Sequence, residues 1–242
     1  MFPDDINAVE SLKIVTDDWP PYEYKENGKI VGFSTEVVKA VLDDMNVTIS
    51  SLKVYPWARA ERMVFSGTVD MLYCASKSDK RLEFCHFPDE SLIVSANLLF
   101  IRKEDIGRLK FGSFSDLKGY RVGIVREYAY TKEFLDYLRN EEIKTVIALD
   151  DIENFKMLKK RIVDYIPADL GNSFGIIKRL NLGDQLYAFK ENPLKTAGLH
   201  ALFSKKTVDK KFVEKFSRHL TAFKATDEYK EIYNKYFGMI DT

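Results

Sequence analysis

The run Val69-Asp70-Met71-Leu72 returns later in the chain as Val163-Asp164-Tyr165-Ile166, and each copy follows a predicted helix by only a few residues. Both runs are typical of a strand, and each closes a longer pattern in which strands and helices alternate. The recurrence indicates an internal repeat. It predicts two small α/β lobes, each a βαβαβ unit with a mostly parallel sheet. A single doubly wound domain would show the same alternation, so the repeat alone does not separate these two folds.

The two copies contain the same order of elements: strand, helix, strand, helix, strand. In the first copy the predicted elements cover residues 12–15, 34–45, 49–54, 56–65 and 69–73. In the second copy they cover residues 120–125, 130–139, 145–148, 151–160 and 162–166. Ser34 suits an N-cap, Pro56 suits a first helical turn and Gly67 suits a helix end, which supports these boundaries.

Two long apolar runs favour two lobes over one. Residues 92–100 leave the first copy, and residues 197–203 form a similar run after the second copy ends. Such a pair is typical of a chain that crosses into a second lobe and returns. The predicted boundaries are 1–102 with 197–242 for lobe one and 103–196 for lobe two, with hinge crossings near 95–102 and 196–203.

The C-terminal tail is predicted to form two helices that pack on lobe one. Phe212, Phe216 and Leu220 recur at helical spacing. A second helical stripe follows at residues 229–236, and Gly238 lies beyond its expected end.

Composition argues against several classes of function. The 242-residue chain has 37 Lys plus Arg and 37 Asp plus Glu, so its formal net charge is zero. Nothing in that balance favours nucleic acid or an anionic membrane as a partner. No stretch approaches the roughly 18 to 20 apolar residues that span a bilayer. The opening Met1-Phe2-Pro3-Asp4-Asp5 is not a signal peptide, which leaves a cytosolic protein or a mature form whose signal has been removed.

Residues with metal-binding or nucleophilic chemistry are few. Cys74 and Cys85 lack metal-ligand spacing, and we expect free, buried thiols, with a disulfide as the alternative in an oxidising compartment. His86, His200 and His219 have no nucleophile or metal partner readable from spacing, so each is expected to be structural. We therefore expect no metal, no cofactor and no catalytic activity.

An ordered set of short motifs runs through the chain. It consists of Trp19-Pro20-Pro21-Tyr22-Glu23-Tyr24, Gly32-Phe33-Ser34-Thr35-Glu36, Ser66-Gly67-Thr68-Val69-Asp70, Ser76-Lys77-Ser78-Asp79-Lys80-Arg81 and Phe84-Cys85-His86-Phe87. In this order the motifs resemble the family 3 extracellular solute-binding proteins, the polar amino-acid receptors of ABC transporters. The resemblance covers residues 12–237.

This resemblance implies a type II-like periplasmic-binding-protein fold, with two lobes joined by a two-strand hinge. It implies a periplasmic or extracellular monomer that closes around one small polar solute, most simply an amino acid, and delivers it to the membrane component of an ABC transporter.

The resemblance places the ligand carboxylate on Arg81. A guanidinium is a planar fork that meets a carboxylate with two parallel charge-assisted hydrogen bonds. Ser76 would bind the same group through its hydroxyl and backbone N–H. In the alternative interpretation, Arg81 caps its turn and pairs with Asp79 or Glu83 on the surface.

The resemblance places the ligand ammonium on Asp169, just past the last strand of lobe two. A buried carboxylate beside the cation that it binds avoids the cost of an unpaired charge. The alternative is that Asp169 caps a helix that starts near residues 170–171.

Further candidates follow from the same resemblance. Trp19 and Tyr22 occupy the place of aromatic rings that cover the ligand, and the alternative is a hydrophobic corner fixed by Pro20-Pro21. Cys74 replaces a small residue, and its backbone carbonyl would accept from the ammonium.

Two bulky residues depart from the family pattern. Tyr128 and Tyr130 stand where a Gly-Ser/Thr segment usually opens the first helix of lobe two, which alters the expected specificity. Backbone N–H groups at that helix start can still hold an anion.

Arg59 and Trp57 are weaker candidates for ligand binding. For Arg59, the alternative to a second ligand-binding arginine is a side chain that faces solvent.

Two other functions fit the same fold. One is the ligand-sensing module of a membrane receptor, whose binding chemistry would be identical. The other is an enzyme similar to the cyclohexadienyl dehydratases, for which Glu127 is the candidate acid.

Overall fold

The chain forms two compact α/β units, and the computed structural model describes residues 9–237. The first unit comprises Met1–Val94 with Gly198–Thr242, and the second comprises Ser95–Ala197. In chain order the strands are β1 (Ser11–Thr16), β2 (Tyr24–Glu26), β3 (Lys29–Val31), β4 (Thr48–Val54), β5 (Met71–Ala75), β6 (Cys85–His86), β7 (Ile93–Arg102), β8 (Arg121–Val125), β9 (Lys144–Ala148), β10 (Ile166–Asp169), β11 (Leu186–Ala188) and β12 (Lys195–Ser204). The helices are α1 (Phe33–Asp44), α2 (Trp57–Ser66), α3 (Asp79–Phe84), α4 (Lys132–Asn140), α5 (Asp151–Lys159), α6 (Leu170–Arg179), α7 (Lys210–Lys224) and α8 (Asp227–Phe237). The chain passes between the units within β7 and again within β12.

The first unit contains the predicted strand–helix–strand–helix–strand order as β1, α1, β4, α2 and β5. Its sheet runs β12-β5-β1-β4, with β1 parallel to β4 and β5, and β12 antiparallel to β5. Helix α1 buries the predicted stripe of Val37, Val38, Val41 and Leu42, because its apolar residues recur at helical spacing. The short hairpin β2–β3 is an addition that the sequence analysis did not predict.

The start of α1 corrects one prediction. Gly32, and not Ser34, is the N-cap residue, with φ 118°. A Cβ at this position would lie 2.4 Å from the carbonyl oxygen of Tyr22, so the close approach of the two backbones requires glycine. Ser34 lies inside the helix, where its hydroxyl is 3.1 Å from the Cys74 thiol.

The second unit follows the predicted order as β8, α4, β9, α5 and β10, with two differences. Strand β8 is parallel to β9, as predicted, and its Val122 also forms a parallel bridge with Tyr165, just before β10. Strand β10 itself starts only at Ile166 and pairs antiparallel with β7. Because β7 lies far away in the sequence, the local pattern could not set the start of β10. Helix α4 begins at Lys132 with Thr131 as N-cap, later than predicted, because the Thr131 hydroxyl accepts from the Phe134 N–H at 3.2 Å.

The tail forms α7 and α8 in the first unit. Phe216 and Leu220 of α7 are fully buried in its core. The rings of Tyr229 and Tyr233 from α8 meet the edge of Phe33, at centroid distances of 5.6 and 6.1 Å. The predicted end signal at Gly238 lies outside the described residues. Over residues 9–237, no helix has the length and apolar character needed to cross a membrane.

Buried His200 in β12 gives the first unit a pH-dependent stability. The side chain is 7% exposed, its Nδ1 donates to the Glu90 carbonyl at 3.2 Å, and the edge of Phe87 lies against the ring. Burial, with a contribution from the charge of Lys77, lowers the pKa of His200 to about 4. In the unfolded chain the pKa of a histidine is near 6.5. Between pH 6.5 and pH 4, the unfolded chain therefore binds a proton at His200 and the folded chain does not.

We expect the wild type to lose up to about 3 kcal/mol of unfolding free energy from His200 alone as the pH falls from about 6.5 to 4. His200→Gln removes the titrating group, so its stability should depend less on pH over this range. Urea unfolding of both proteins at several pH values measures the difference. Parallel pH profiles would contradict this prediction.

Candidate functional site

Arg81 occupies a buried position in the first unit. It lies in the short helix α3, whose N-cap Ser78 accepts from the Arg81 backbone N–H at 3.4 Å. Arg81 is only 4% exposed, and its ionic partner is neither Asp79 nor Glu83. The alternative of a surface arginine is therefore wrong, because packing against α2 covers the side chain.

Helix α2 supplies the contacts that hold the Arg81 guanidinium. The Nε of Arg81 donates to Glu61 Oε1 at 2.8 Å, and the ring of Trp57 lies 4.9 Å from the guanidinium carbon. Trp57 and Glu61 are four residues apart, so they project from one face of the helix. The Nη1 of Arg81 donates to the carbonyl of Ser76 at 2.9 Å. Arg81, Ser76, Trp57 and Glu61, with Lys80, form what we term the Arg81 cluster.

Glu61 is itself only 4% exposed and was not among the site residues predicted from the sequence. The available signal was the spacing of Trp57 and Glu61 on an amphipathic helix. Ser76 does lie beside Arg81, but the bond that joins them uses the Ser76 carbonyl. The roles predicted for its hydroxyl and N–H stay predictions.

Glu61 forms ion pairs with two cations. It accepts from Arg81 at 2.8 Å and from Lys80 at 3.2 Å. Among residues 9–237, Nη2 of Arg81 has no hydrogen-bond partner. A buried guanidinium with unused N–H groups is suited to bind an anionic group.

Cys74 follows the centre of β5 in a left-handed conformation, with φ 67°. Its buried thiol is free, and so is that of Cys85. Burial raises the pKa of the Cys74 thiol well above its usual range, and the nearby Glu23 carboxylate adds to this effect. The thiol therefore stays protonated and unreactive. The predicted role of the Cys74 carbonyl stays a prediction.

The aromatic pair Trp19 and Tyr22 forms a packed corner. The two rings stack at a centroid distance of 4.7 Å, and Tyr22 also packs against Phe237. Tyr22 is only 1% exposed, which favours the alternative of a hydrophobic corner. Tyr22 is thus a core residue and not part of the binding set that we propose below, whereas Trp19 is partly exposed and remains a candidate.

Arg59 does not join the Arg81 cluster. Its side chain is exposed, and its guanidinium carbon lies 4.3 Å from the ring centroid of Tyr55. This cation–π contact on the surface favours the solvent-facing alternative.

In the second unit, Asp169 ends β10 and caps α6. Its Oδ1 accepts from the Asn172 N–H at 2.9 Å, and its Oδ2 accepts from the Ser95 hydroxyl. Asp169 is 3% exposed. The N-cap alternative is therefore confirmed, because the carboxylate satisfies an N–H group that the helix itself leaves unpaired. The ammonium-binding role predicted for Asp169 stays a prediction.

Hydrogen bonds within the second unit hold the segment that contains Tyr128 and Tyr130. The Tyr128 hydroxyl donates to Asp151 Oδ2 at 2.9 Å, and the Tyr130 hydroxyl accepts from the Val125 N–H at 2.9 Å. Burial raises the pKa of Tyr130, so the phenol stays neutral. Both hydroxyl groups make bonds that shape the loop, and these bonds explain how bulky residues are accommodated before α4.

No cluster of His, Cys, Asp and Glu within residues 9–237 is arranged to hold a metal ion.

Comparison with known proteins identifies relatives over nearly the whole chain. The family model for bacterial extracellular solute-binding proteins, family 3, matches residues 12–239. A curated relative, the arginine-binding extracellular protein ArtP of Bacillus subtilis (strain 168), is 30% identical over 118 residues. That match covers 44% of this chain and only 40% of the relative.

Solved structures share the fold at low sequence identity. A histidine kinase sensor domain with similarity to periplasmic binding proteins has a TM-score of 0.78 at 23% identity, over 94% of this chain and 96% of that one. The ancestral amino-acid-binding protein AncCDT-1, a precursor of cyclohexadienyl dehydratase, has a TM-score of 0.77 at 18% identity, over 94% and 96% of the two chains. At these identities the likeness shows the fold alone.

Proposed function

Because the chain belongs to the bacterial extracellular solute-binding proteins of family 3, we propose that it binds one amino acid outside the cytoplasm and delivers it to the membrane component of an ABC transporter. The observation that carries this proposal is the Arg81 cluster. Its buried guanidinium is held at Nε and Nη1, with Nη2 left for a ligand. The protein acts as a receptor and catalyses no reaction.

The ligand carboxylate binds Arg81, and the ligand ammonium binds Asp169. A charge-assisted pair with a guanidinium is about twice as strong as a neutral hydrogen bond. Asp169 caps α6 through Oδ1, and an ionised carboxylate has about four lone-pair sites for hydrogen-bond donors. Arginine is the first ligand to test, because the curated relative is an arginine-binding protein.

A thermal-shift screen tests this function. Purified protein is unfolded and refolded to remove any copurified ligand, and each of the common amino acids is then added at about 1 mM. A ligand at 1,000 times its Kd should stabilise by about 4 kcal/mol, which raises the Tm by roughly 8 to 16 °C at this chain size. A large shift from one α-amino acid supports the proposal, and a panel without any shift counts against it.

Hinge closure, which the family resemblance implies, stays a prediction. Ligand contacts that exist only in a closed form shift the population toward that form. We expect the radius of gyration in small-angle X-ray scattering to fall when the amino acid from the screen is added. A radius that is unchanged at saturation would contradict closure.

A second candidate function is the sensing module of a membrane receptor, because a histidine kinase sensor domain has the same fold. The binding chemistry would be the same as in transport. The sequence that flanks this chain in its gene separates the two functions, because a sensor continues into a membrane span and a signalling domain.

A further inference from the structure

Glu61 controls which edge of the Arg81 guanidinium is free. A guanidinium presents a side edge, formed by Nε and Nη2, and an end edge, formed by Nη1 and Nη2. Glu61 Oε1 accepts from Nε at 2.8 Å, which closes the side edge to any other carboxylate. On the end edge, Nη1 donates to the Ser76 carbonyl at 2.9 Å, and Nη2 has no hydrogen-bond partner within residues 9–237.

Trp57 packs against the same group. The guanidinium carbon of Arg81 lies over its ring, 4.9 Å from the centroid, and Trp57 precedes Glu61 on α2 by one helical turn. Two neighbouring side chains of α2 therefore contact Arg81 together. The Glu61 carboxylate is buried with Arg81, so water does not compete for either partner.

We propose that Glu61 is a positioning residue for ligand recognition, which holds Nε of Arg81 so that the ligand carboxylate binds end-on to Nη1 and Nη2. This inference rests on the proposed function. It adds a specific consequence: the preference for a carboxylate over the matching carboxamide depends on Glu61, although Glu61 does not touch the ligand. A carboxamide has only one acceptor oxygen, so it cannot form the two parallel hydrogen bonds that an aligned end edge makes to a carboxylate.

Isothermal titration calorimetry with L-arginine and L-argininamide tests the inference. If the screen identifies another amino acid, that amino acid and its amide replace the pair. For Glu61→Ala we expect the affinity for the carboxylate to fall about tenfold or more, because Arg81 loses its alignment. The affinity for the carboxamide should change by less than about threefold, so the ratio of the two Kd values falls.

Three further variants separate position from charge and from folding. Glu61→Gln keeps an acceptor for Nε and should retain most of the wild-type ratio. Glu61→Asp keeps the negative charge but moves it back by about 1.5 Å, the length of a carbon–carbon bond, so the ratio of the two Kd values should fall. This variant replaces Glu61→Ala if the Ala variant does not fold. Glu83→Gln removes an exposed carboxylate from α3, outside the Arg81 cluster, and should leave the ratio unchanged.

The possible failures are distinguishable. A wild type that binds no α-amino acid overturns the proposed function and the inference with it. A wild type that binds, with the same Kd ratio in Glu61→Ala or Glu61→Asp, overturns the inference alone. Equal loss of affinity for carboxylate and carboxamide does so as well, because it shows that Glu61 only stabilises the fold.

Discussion

Arg81→Ala is expected to weaken the binding of an amino acid by roughly 2 to 5 kcal/mol. The ligand carboxylate would lose its charged partner and the two parallel hydrogen bonds of the guanidinium fork. The substitution also leaves Glu61 buried with Lys80 as its remaining ionic partner. Because Glu61 would lose its buried partner and keep only the exposed Lys80, we also expect the free energy of unfolding to fall. Calorimetric titration measures the loss of binding free energy, and urea unfolding measures the loss of unfolding free energy.

Two variants show whether the loss comes from Arg81 chemistry. Arg81→Lys keeps the positive charge but lacks the planar fork, so it should recover only part of the affinity. Arg62→Ala removes an exposed arginine from α2 and should bind like the wild type. Wild-type affinity in Arg81→Ala would show that the carboxylate binds elsewhere.

Asp169→Asn is expected to weaken ligands that carry an ammonium by about 1.5 to 3 kcal/mol, the contribution of a hydrogen bond to a charged group. Asparagine caps a helix about as well as aspartate, so the bond to the Asn172 N–H should survive the substitution. The variant therefore removes the charge and keeps the cap. Binding of the amino acid should weaken, whereas its desamino analogue should bind with unchanged affinity.

A matched substitution exists in the same unit. Asp150 caps α5, where its Oδ1 accepts from the Glu153 N–H at 2.7 Å, and Asp150→Asn should leave both ligands unaffected. If Asp169→Asn also binds the amino acid like the wild type, Asp169 is a helix cap and nothing more.

The order of elements was readable from the sequence because strands and helices follow from local periodicity. The stripe of α1 and the end of α2 at Gly67, with φ 77°, are local features of this kind. The start of β10 was not readable, because it depends on pairing with β7. The cap of α1 was predicted as Ser34 and is Gly32 for a similar reason. The backbone of Tyr22 lies so close to this position that a side chain would not fit, and this contact cannot be read from the local sequence.

In the candidate site, too, some residues could be predicted from the sequence and others could not. The motif that ends in Arg81 and the cap at Asp169 are local patterns, and both positions could be named from the sequence. The ion pair between Arg81 and Glu61 joins residues from two different helices, α3 and α2. Only tertiary packing brings these residues together, and the same packing buries Tyr22 in the core.

The most direct test of the central claim is calorimetric titration of the refolded wild type with L-arginine and with any amino acid that raises the Tm. We expect saturable binding of one amino acid per chain, with a Kd in the micromolar range or below, which corresponds to a binding free energy of about 8 kcal/mol or more. Absence of saturable binding by every common amino acid would contradict the claim that this chain is an amino-acid receptor.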